Sequence, residues 1–274
     1  METRRMCPHC RAFITTSDRV CPYCNESVAP RRVERGSGPI LGGLIPHAGY
    51  NTVVILLINT GLYLATSLYS VNGGRGNFVN LDGETLFAFG AKFGPAIAAG
   101  QWWRLVTAGF LHGGLLHILM NSWVLFDLGA QVEEIYGSAR MLVIYFVANI
   151  LGFYVSDMWR PESISVGASA ALFGLVGAMI AVGTRYRGSM GGAVRSVYMR
   201  YLVYLLLFSL LPGVDMAAHV GGLIGGFGVA YLAGIPHYEG QNLERFWQVS
   251  AGIAVLLTII CFLKWYLWFH AASQ

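Results

Sequence analysis

Charged residues are scarce in this chain of 274 residues, and their scarcity excludes several classes of protein. Only 12% of the residues are Asp, Glu, Lys or Arg, whereas about 25% is usual for a soluble domain. The formal net charge of +4 is too low for a broad basic field, so we expect no nucleic acid partner. A disordered chain is excluded as well, because 55% of the residues are hydrophobic.

Long apolar runs take the place of the missing charge. The mean hydropathy is +0.55, and the runs predict seven membrane spans. We place the spans at 52–70, 109–130, 140–159, 167–185, 197–212, 216–235 and 248–269. The 35 Gly residues fit this fold, because small residues let membrane helices approach closely. The sequence therefore predicts an all-α polytopic membrane protein embedded in a lipid bilayer.

The basic residues indicate how the chain is oriented. With the N-terminus inside, thirteen Lys or Arg residues lie on the inner side and five on the outer side. By the positive-inside rule, this excess predicts a cytoplasmic N-terminus and a C-terminus outside. No apolar signal-peptide segment precedes the first Cys pair, which also favours a cytosolic head. We expect a multi-pass protein of a bacterial-type cell membrane.

Cysteine is almost confined to the first 24 residues. Cys7 and Cys10 form one Cys-x2-Cys pair and Cys21 and Cys24 form a second, each with Pro after its first Cys. In the reducing cytosol, such pairs hold metal more often than disulfides. Four thiolates complete a tetrahedral site, so the spacing predicts a zinc ribbon with a structural Zn²⁺. Two disulfides or free thiols are the alternatives, and the ribbon's cytosolic partner is unknown.

The composition divides the chain into four parts. We assign 1–26 to the zinc-ribbon-like head and 27–50 to a flexible basic linker rich in Pro, Gly and Arg. The six-span core covers 51–236, and 237–274 contains an inner loop and the seventh helix. A long loop at about 71–108 contains many apolar residues, and we expect it to pack into the membrane surface.

Polar side chains collect at the outer ends of three spans. His117 and Asn121, near the start of span two, are four residues apart and share a helix face. Ser169 begins span four, and His219 lies at the start of span six. Interhelical hydrogen bonding or packing explains each residue alone. Because these spans run in the same direction, the groups lie at similar depth, and a Ser near a His with neutral donors is typical of nucleophilic acyl transfer.

These motifs resemble those of the rhomboid family of intramembrane serine proteases. The matching residues are Trp103-Arg104, His112, His117, Asn121, Gly167-Ala168-Ser169, and Ala218-His219-Val220-Gly221-Gly222 with Gly226. The resemblance covers about residues 52–235. It implies a rhomboid-like six-helix core, with the seventh span as an extra C-terminal helix. It also implies a serine endopeptidase that cleaves transmembrane segments of other proteins near the outer leaflet.

The resemblance implies a role for each residue of the site. Ser169 would be the nucleophile and His219 the general base of a dyad that needs no cofactor. His117 and Asn121 would form the oxyanion hole together with the Ser169 backbone amide. Phe173 would pack on the His219 ring.

Further positions are implied to support this site. His112 and Gly167 would be supporting residues, while Arg104 and Glu133 match structural positions of the family. Ala170 is a departure, because the family usually has Gly directly after the nucleophile. If the site needs a helical φ there, Ala is harmless, whereas a positive φ would lower activity.

Two other function classes compete with proteolysis. A catalytically inactive rhomboid-like protein would bind and regulate membrane clients, and we expect such a protein to lack Ser169 or His219. A transporter would need ionisable groups near span centres. The main candidate is Asp127, which lies near the inner end of span two.

Overall fold

The computed structural model describes residues 4–7, 9–15, 18–26, 28, 49–186, 188–236 and 241–272. The chain divides into two compact units, Met1–Gly38 and Pro39–Gln274. Most of the predicted linker, residues 29–48, lies outside the described residues, as do residues 237–240 of the predicted inner loop.

The first unit is a small ribbon built on a two-stranded sheet. Strand β1 (Arg4–Met6) pairs antiparallel with β2 (Phe13–Thr15). Among the described residues, a positive φ at a residue other than Gly occurs at Arg11 (61°) and Asn25 (54°). Each of these residues directly follows the second Cys of a pair. Both Cys pairs therefore end in the same left-handed turn.

The second unit is helical. In chain order its helices are α1 (Tyr50–Asn72), α2 (Gly83–Ala88), α3 (Gly94–Ala98), α4 (Arg104–Thr107), α5 (Leu115–Val124), α6 (Ala130–Tyr136), α7 (Ser138–Trp159), α8 (Ser169–Arg185), α9 (Ser189–Phe208), α10 (Met216–Ala233) and α11 (Gln241–Ala272). A 3₁₀ turn, Ala108–Phe110, follows α4, and a π-helical turn, Leu125–Gly129, joins α5 to α6 into one continuous rod.

Five helical segments of the described chain are long and apolar enough to cross a membrane. They are Tyr50–Asn72, Leu115–Tyr136, Ser138–Trp159, Met216–Ala233 and Asn242–Ala271. Helix α8 is apolar but has only 17 residues, and nearly all of them are buried within the protein. The predicted all-α polytopic membrane fold is confirmed.

The helix bounds differ from the predicted spans at three places. Helix α5 begins at Leu115 rather than 109, because the chain before it forms the 3₁₀ turn and an extended stretch that ends at Gly114. Helix α9 covers Ser189–Phe208 rather than 197–212, because its polar N-terminal turns are helical although their hydropathy is low. Helix α11 also extends beyond the apolar stretch at 248–269.

Helix α10 packs between α7 and α8 through glycines that let the backbones touch. A Cβ atom at Gly222 would lie 2.0 Å from the carbonyl oxygen of Ala170, and one at Gly226 would lie 2.2 Å from that of Gly174. On α7, a Cβ atom at Gly152 would lie 2.6 Å from the Ala170 Cβ. These contacts bring the first turns of α8 and α10 together.

The segment between α1 and α5 is folded around a buried guanidinium. Arg104 is fully buried, and its Nη1 donates hydrogen bonds to the carbonyl oxygens of Phe87 (2.8 Å) and Ala91 (2.9 Å). Asp82 is the N-cap of α2, where burial opposes its ionisation but hydrogen bonds from Thr85 lower its pKa to about 2. The segment is therefore packed against the protein, and its insertion into the membrane surface stays a prediction.

Two glutamates make polar contacts at the beginnings of α1 and α11, on the side of the protein opposite the predicted active site. Glu133 accepts hydrogen bonds from the backbone N–H groups of Asn51 (3.1 Å) and Thr52 (3.2 Å), which are unpaired donors of the first turn of α1. Glu244 of α11 pairs with the fully buried Arg140 of α7, with Oε2 and Nη1 2.5 Å apart. The first of the long helices is thus held to the core by buried hydrogen bonds, and the last by a half-buried ion pair.

Candidate active site and metal centre

Ser169 and His219 meet between the first turns of α8 and α10. Ser169 is the first residue of α8, and its Oγ lies 2.8 Å from Nε2 of His219. The His219 side chain is buried, with 4% of its surface exposed. The close glycine-mediated packing of the two helices places these side chains within hydrogen-bond distance although they are 50 residues apart in sequence.

Phe173 covers one face of the His219 ring. It lies one helical turn after Ser169, and its ring centroid is 4.2 Å from that of the imidazole, with 14° between the planes. Both rings are buried. The stacking restricts rotation of the imidazole and excludes water from that face.

Ser209 contacts the opposite edge of the same imidazole. Its Oγ lies 2.6 Å from Nδ1 of His219, and it also donates a hydrogen bond to the carbonyl oxygen of Leu205 at 2.7 Å. Ser209 immediately follows α9 and is buried. Sequence reasoning missed this residue. The available signal was a Ser at the outer end of span five, at the depth expected for His219.

His117 lies beside the Ser169 turn. Its Nδ1 accepts a hydrogen bond from the Gly113 backbone N–H at 3.4 Å, which leaves Nε2 as the protonated ring nitrogen. A Cβ atom built on Gly167 would lie 2.7 Å from this Nε2 and 3.5 Å from the Ser169 Oγ. Asn121 uses one amide N–H to bond the carbonyl oxygen of His117, 3.1 Å away. The structure therefore brings a neutral donor, His117, next to Ser169.

The backbone conformations of Gly167 and Ala170, which lie before and after Ser169, differ in whether they tolerate a side chain. Gly167 has φ +130°, which disfavours any side chain, and its N–H donates to the Ala108 carbonyl oxygen at 3.0 Å. Ala170 lies within α8 and is not among the residues with positive φ. Its methyl group is fully buried against Gly152. The departure from Gly at position 170 therefore introduces no backbone strain.

His112 packs behind His117. It is fully buried, and the two imidazoles form an edge-to-face pair with centroids 5.2 Å apart. Within the described residues, neither ring nitrogen of His112 has a hydrogen-bond partner. Its contact with this site is therefore the packing against His117.

The four head cysteines converge on one point. Their Sγ atoms all lie within 4.8 Å of one another, with Cys7 3.8 Å from Cys24 and Cys10 3.6 Å from Cys21. No disulfide joins any of the four, so the predicted alternative of two disulfides is not formed. Zn–S bonds of about 2.3 Å in a tetrahedron place sulfur atoms about 3.8 Å apart. The cluster therefore has the dimensions of a tetrahedral tetrathiolate metal site.

The backbone around the cluster also favours metal binding. The carbonyl oxygen of Cys7 accepts a hydrogen bond from the Arg11 N–H, and that of Cys21 accepts one from the Asn25 N–H. These turns direct both sulfur atoms of a pair to the same side. The hydrogen bond from the backbone N–H of Cys10 is the largest contribution that lowers the pKa of the Cys7 thiol, whereas burial and the neighbouring sulfur atoms raise the pKa of the Cys10 and Cys24 thiols.

Comparison with known proteins connects the second unit to one family. The family model of the Rhomboid domain matches residues 99–235. The chain is 39% identical over 170 residues to the rhomboid protease GluP of Bacillus subtilis, covering 62% of this chain and 32% of that protein. It is 34% identical over 189 residues to the rhomboid-like protease 3 of Toxoplasma gondii, covering 64% of this chain and 69% of that protein.

A third relative is matched over the same share of its length as the Toxoplasma gondii protein. The putative rhomboid protease YdcA of Bacillus subtilis is 34% identical over 142 residues, which is 50% of this chain and 69% of that protein. The chain thus spans about a third of the length of GluP and slightly more than two thirds of the other two relatives.

Proposed function

Because this chain belongs to the rhomboid family of intramembrane proteases, we propose that it is an active serine endopeptidase. Its substrates are the transmembrane segments of other membrane proteins, cleaved near the outer leaflet. The observation that carries this proposal is the 2.8 Å contact between the Ser169 Oγ and the His219 Nε2. A hydroxyl beside an imidazole nitrogen is the minimal arrangement for nucleophilic acyl transfer.

The proposed reaction begins with attack of the Ser169 Oγ on the scissile carbonyl carbon. His219 Nε2 accepts the hydroxyl proton, and a tetrahedral intermediate forms. The Ser169 backbone N–H, at the open start of α8, and the Nε2–H of His117 donate to the oxyanion. Asn121 adds a donor through the amide hydrogen that does not bond the His117 carbonyl. His219 then protonates the leaving amine, and water hydrolyses the acyl-enzyme.

The side chains of the proposed site carry no charge, which avoids the cost of burying ions in the bilayer. Ser169, His219, His117 and Asn121 are all neutral in the resting state, so the site needs no buried ion pair. The excess of Lys and Arg residues on the side of the membrane opposite this site supports a cytoplasmic N-terminus.

A substrate helix must unwind locally before it is cleaved, because its backbone hydrogen bonds shield the scissile carbonyl.

We further propose that the four head cysteines hold a structural Zn²⁺. The sulfur spacing supports this assignment, and four thiolates leave no open position for catalysis. Bound there, the metal cross-links the two Cys pairs of a ribbon that otherwise has a core of few residues.

Cleavage by the purified protein in lipid vesicles tests the proposed activity. The substrates are single-span peptides that carry a helix-breaking Pro or Gly near one end of the span. We expect cleavage by the wild type and by the control Ser196→Ala, whose side chain is exposed on α9, and none by Ser169→Ala or His219→Ala. Cleavage by Ser169→Ala would contradict the nucleophile assignment. Binding without cleavage by the wild type would favour a regulatory, inactive rhomboid-like protein.

A further inference from the structure

His219 is contacted on three sides, and only one of these contacts sets which ring nitrogen carries the proton. Ser169 lies at Nε2, Phe173 covers a ring face, and Ser209 lies at Nδ1. We infer that Ser209 is a positioning residue that holds His219 as the Nδ1–H tautomer and leaves Nε2 free to accept the Ser169 proton. This inference rests on the proposed function.

The hydrogen-bond geometry of Ser209 determines the direction of its bond to His219. Its Oγ is 2.7 Å from the carbonyl oxygen of Leu205. Two oxygens at this distance need a hydrogen between them, and the carbonyl has none to give. The single hydroxyl hydrogen of Ser209 therefore points to Leu205. Only lone pairs remain to face the imidazole, so His219 Nδ1 is the donor across the 2.6 Å contact.

This tautomer is the one that base catalysis requires. With the proton on Nδ1, Nε2 has a free lone pair directed at the Ser169 hydroxyl 2.8 Å away. The opposite tautomer would donate from Nε2 to the Ser169 Oγ and could not take up its proton. Ser209 thus holds the position that a carboxylate occupies in three-member triads, but without placing a charge in the membrane.

The nearby carboxylate does not compete for this position. Asp215 is the N-cap of α10, and its Oδ1 accepts a hydrogen bond from the Ala218 N–H at 3.0 Å. Its Oδ2 accepts a short hydrogen bond from the Ser156 hydroxyl. Ser209 is the hydroxyl that bonds Nδ1, and it is almost fully buried, with 2% of its surface exposed.

Turnover by Ser209 variants gives the first test. We expect Ser209→Ala to lower kcat about tenfold, the effect of losing one neutral hydrogen bond, and to leave KM unchanged. Ser209→Thr should restore most of kcat, because a Thr hydroxyl at this position can also donate to the carbonyl oxygen of Leu205. Ser196→Ala, on the exposed surface of α9, is the matched control. A kcat of Ser209→Ala within twofold of the wild type would overturn the inference.

The tautomer itself gives a second test that does not depend on turnover. The full-length protein is labelled with ¹⁵N-histidine in lipid bicelles, and the His219 signal is assigned by its loss in His219→Gln. We expect the Nδ1–H tautomer in the wild type and in Ser209→Thr, and a mixed population in Ser209→Ala. An Nε2–H tautomer in the wild type would overturn the inference even if the protein is folded and active.

The two tests separate this inference from the proposed function. Full activity of Ser209→Ala together with an inactive Ser169→Ala would contradict the positioning role and leave the protease assignment in place. Cleavage by Ser169→Ala, or none by the wild type, would contradict the protease assignment. The ¹⁵N measurement would then decide alone whether Ser209 sets the His219 tautomer.

Discussion

The ring of Phe173 lies parallel to the imidazole of His219 within 14°, with 4.2 Å between the centroids. Phe173 follows Ser169 by one turn of α8, so the helix that supplies the proposed nucleophile also supplies the surface that orients the base. A rigid helix thereby fixes both partners of the dyad. In the proposed dyad, stacking on Phe173 and the contact with Ser209 orient the imidazole without a buried acid.

Substitution of Phe173 tests this packing. We expect Phe173→Leu to lower kcat about tenfold, because the smaller side chain leaves the imidazole free to rotate away from Ser169. Phe173→Tyr keeps the stacked ring and should retain most of kcat. Thermal unfolding of both variants is the control for stability. Equal turnover of the Leu variant and the wild type would show that stacking does not orient His219.

Gly222 tests the helix contact that brings the dyad together. A Cβ atom there would lie 2.0 Å from the Ala170 carbonyl oxygen, so we expect Gly222→Ala to push α10 from α8. The free energy of unfolding should fall by about 3 kcal/mol, and cleavage should be lost. Gly228, on the same helix, has nothing within 4 Å of a built Cβ, so Gly228→Ala is the matched control. Similar stability of the two variants would refute the close contact.

Arg104 tests the folded segment between α1 and α5. Arg104→Lys cannot reproduce the bonds to the carbonyl oxygens of Phe87 and Ala91, so we expect a loss of about 2 kcal/mol in unfolding free energy. Denaturation in detergent measures this loss. Arg75 belongs to the same segment but is partly exposed, and Arg75→Lys should change stability by less than about 0.5 kcal/mol. Equal losses of unfolding free energy in the two variants would mean that the buried hydrogen bonds of the Arg104 guanidinium do not stabilise the fold.

The metal content of the purified protein tests the head. We expect about one Zn²⁺ per chain, lost in Cys10→Ser and retained in Cys261→Ala, whose thiol is buried in the second unit. Since the metal is proposed to be structural, removal of residues 1–38 should leave cleavage largely intact. If a folded truncation lost cleavage, the ribbon would have to act on the active site. Retention of zinc by Cys10→Ser would contradict the tetrathiolate site.

Hydropathy predicts most of the fold, because a chain in lipid must satisfy its backbone within helices. Hydropathy misplaces those helix ends that depend on the local backbone geometry. The predicted span two begins at residue 109, but α5 begins only at Leu115, after the extended backbone at Gly114. The N-terminal turns of α9 are helical, yet they are too polar for hydropathy to predict them as part of a span.

The candidate site was predictable where residue type and spacing carry the chemistry. The sequence predicts Ser169 and His219 at similar depth in two spans, and their side chains lie 2.8 Å apart. It does not predict Ser209, because a single Ser at the end of an apolar helix usually bonds the preceding turn. Only the packing of α9 beside α10 makes it a partner of His219. The sequence alone leaves the effect of Ala170 open, because this effect depends on the backbone φ at that residue, which is not positive.

Labelling with a serine-reactive fluorophosphonate probe tests the central claim most directly. The detergent-solubilised wild type is compared with Ser169→Ala, His219→Ala and the control Ser196→Ala, and the labelled peptide is identified by mass spectrometry. Activation of Ser169 by His219 predicts one adduct on Ser169 in the wild type and the control, and none in the other two variants. Equal labelling of Ser169→Ala and the wild type would contradict the account.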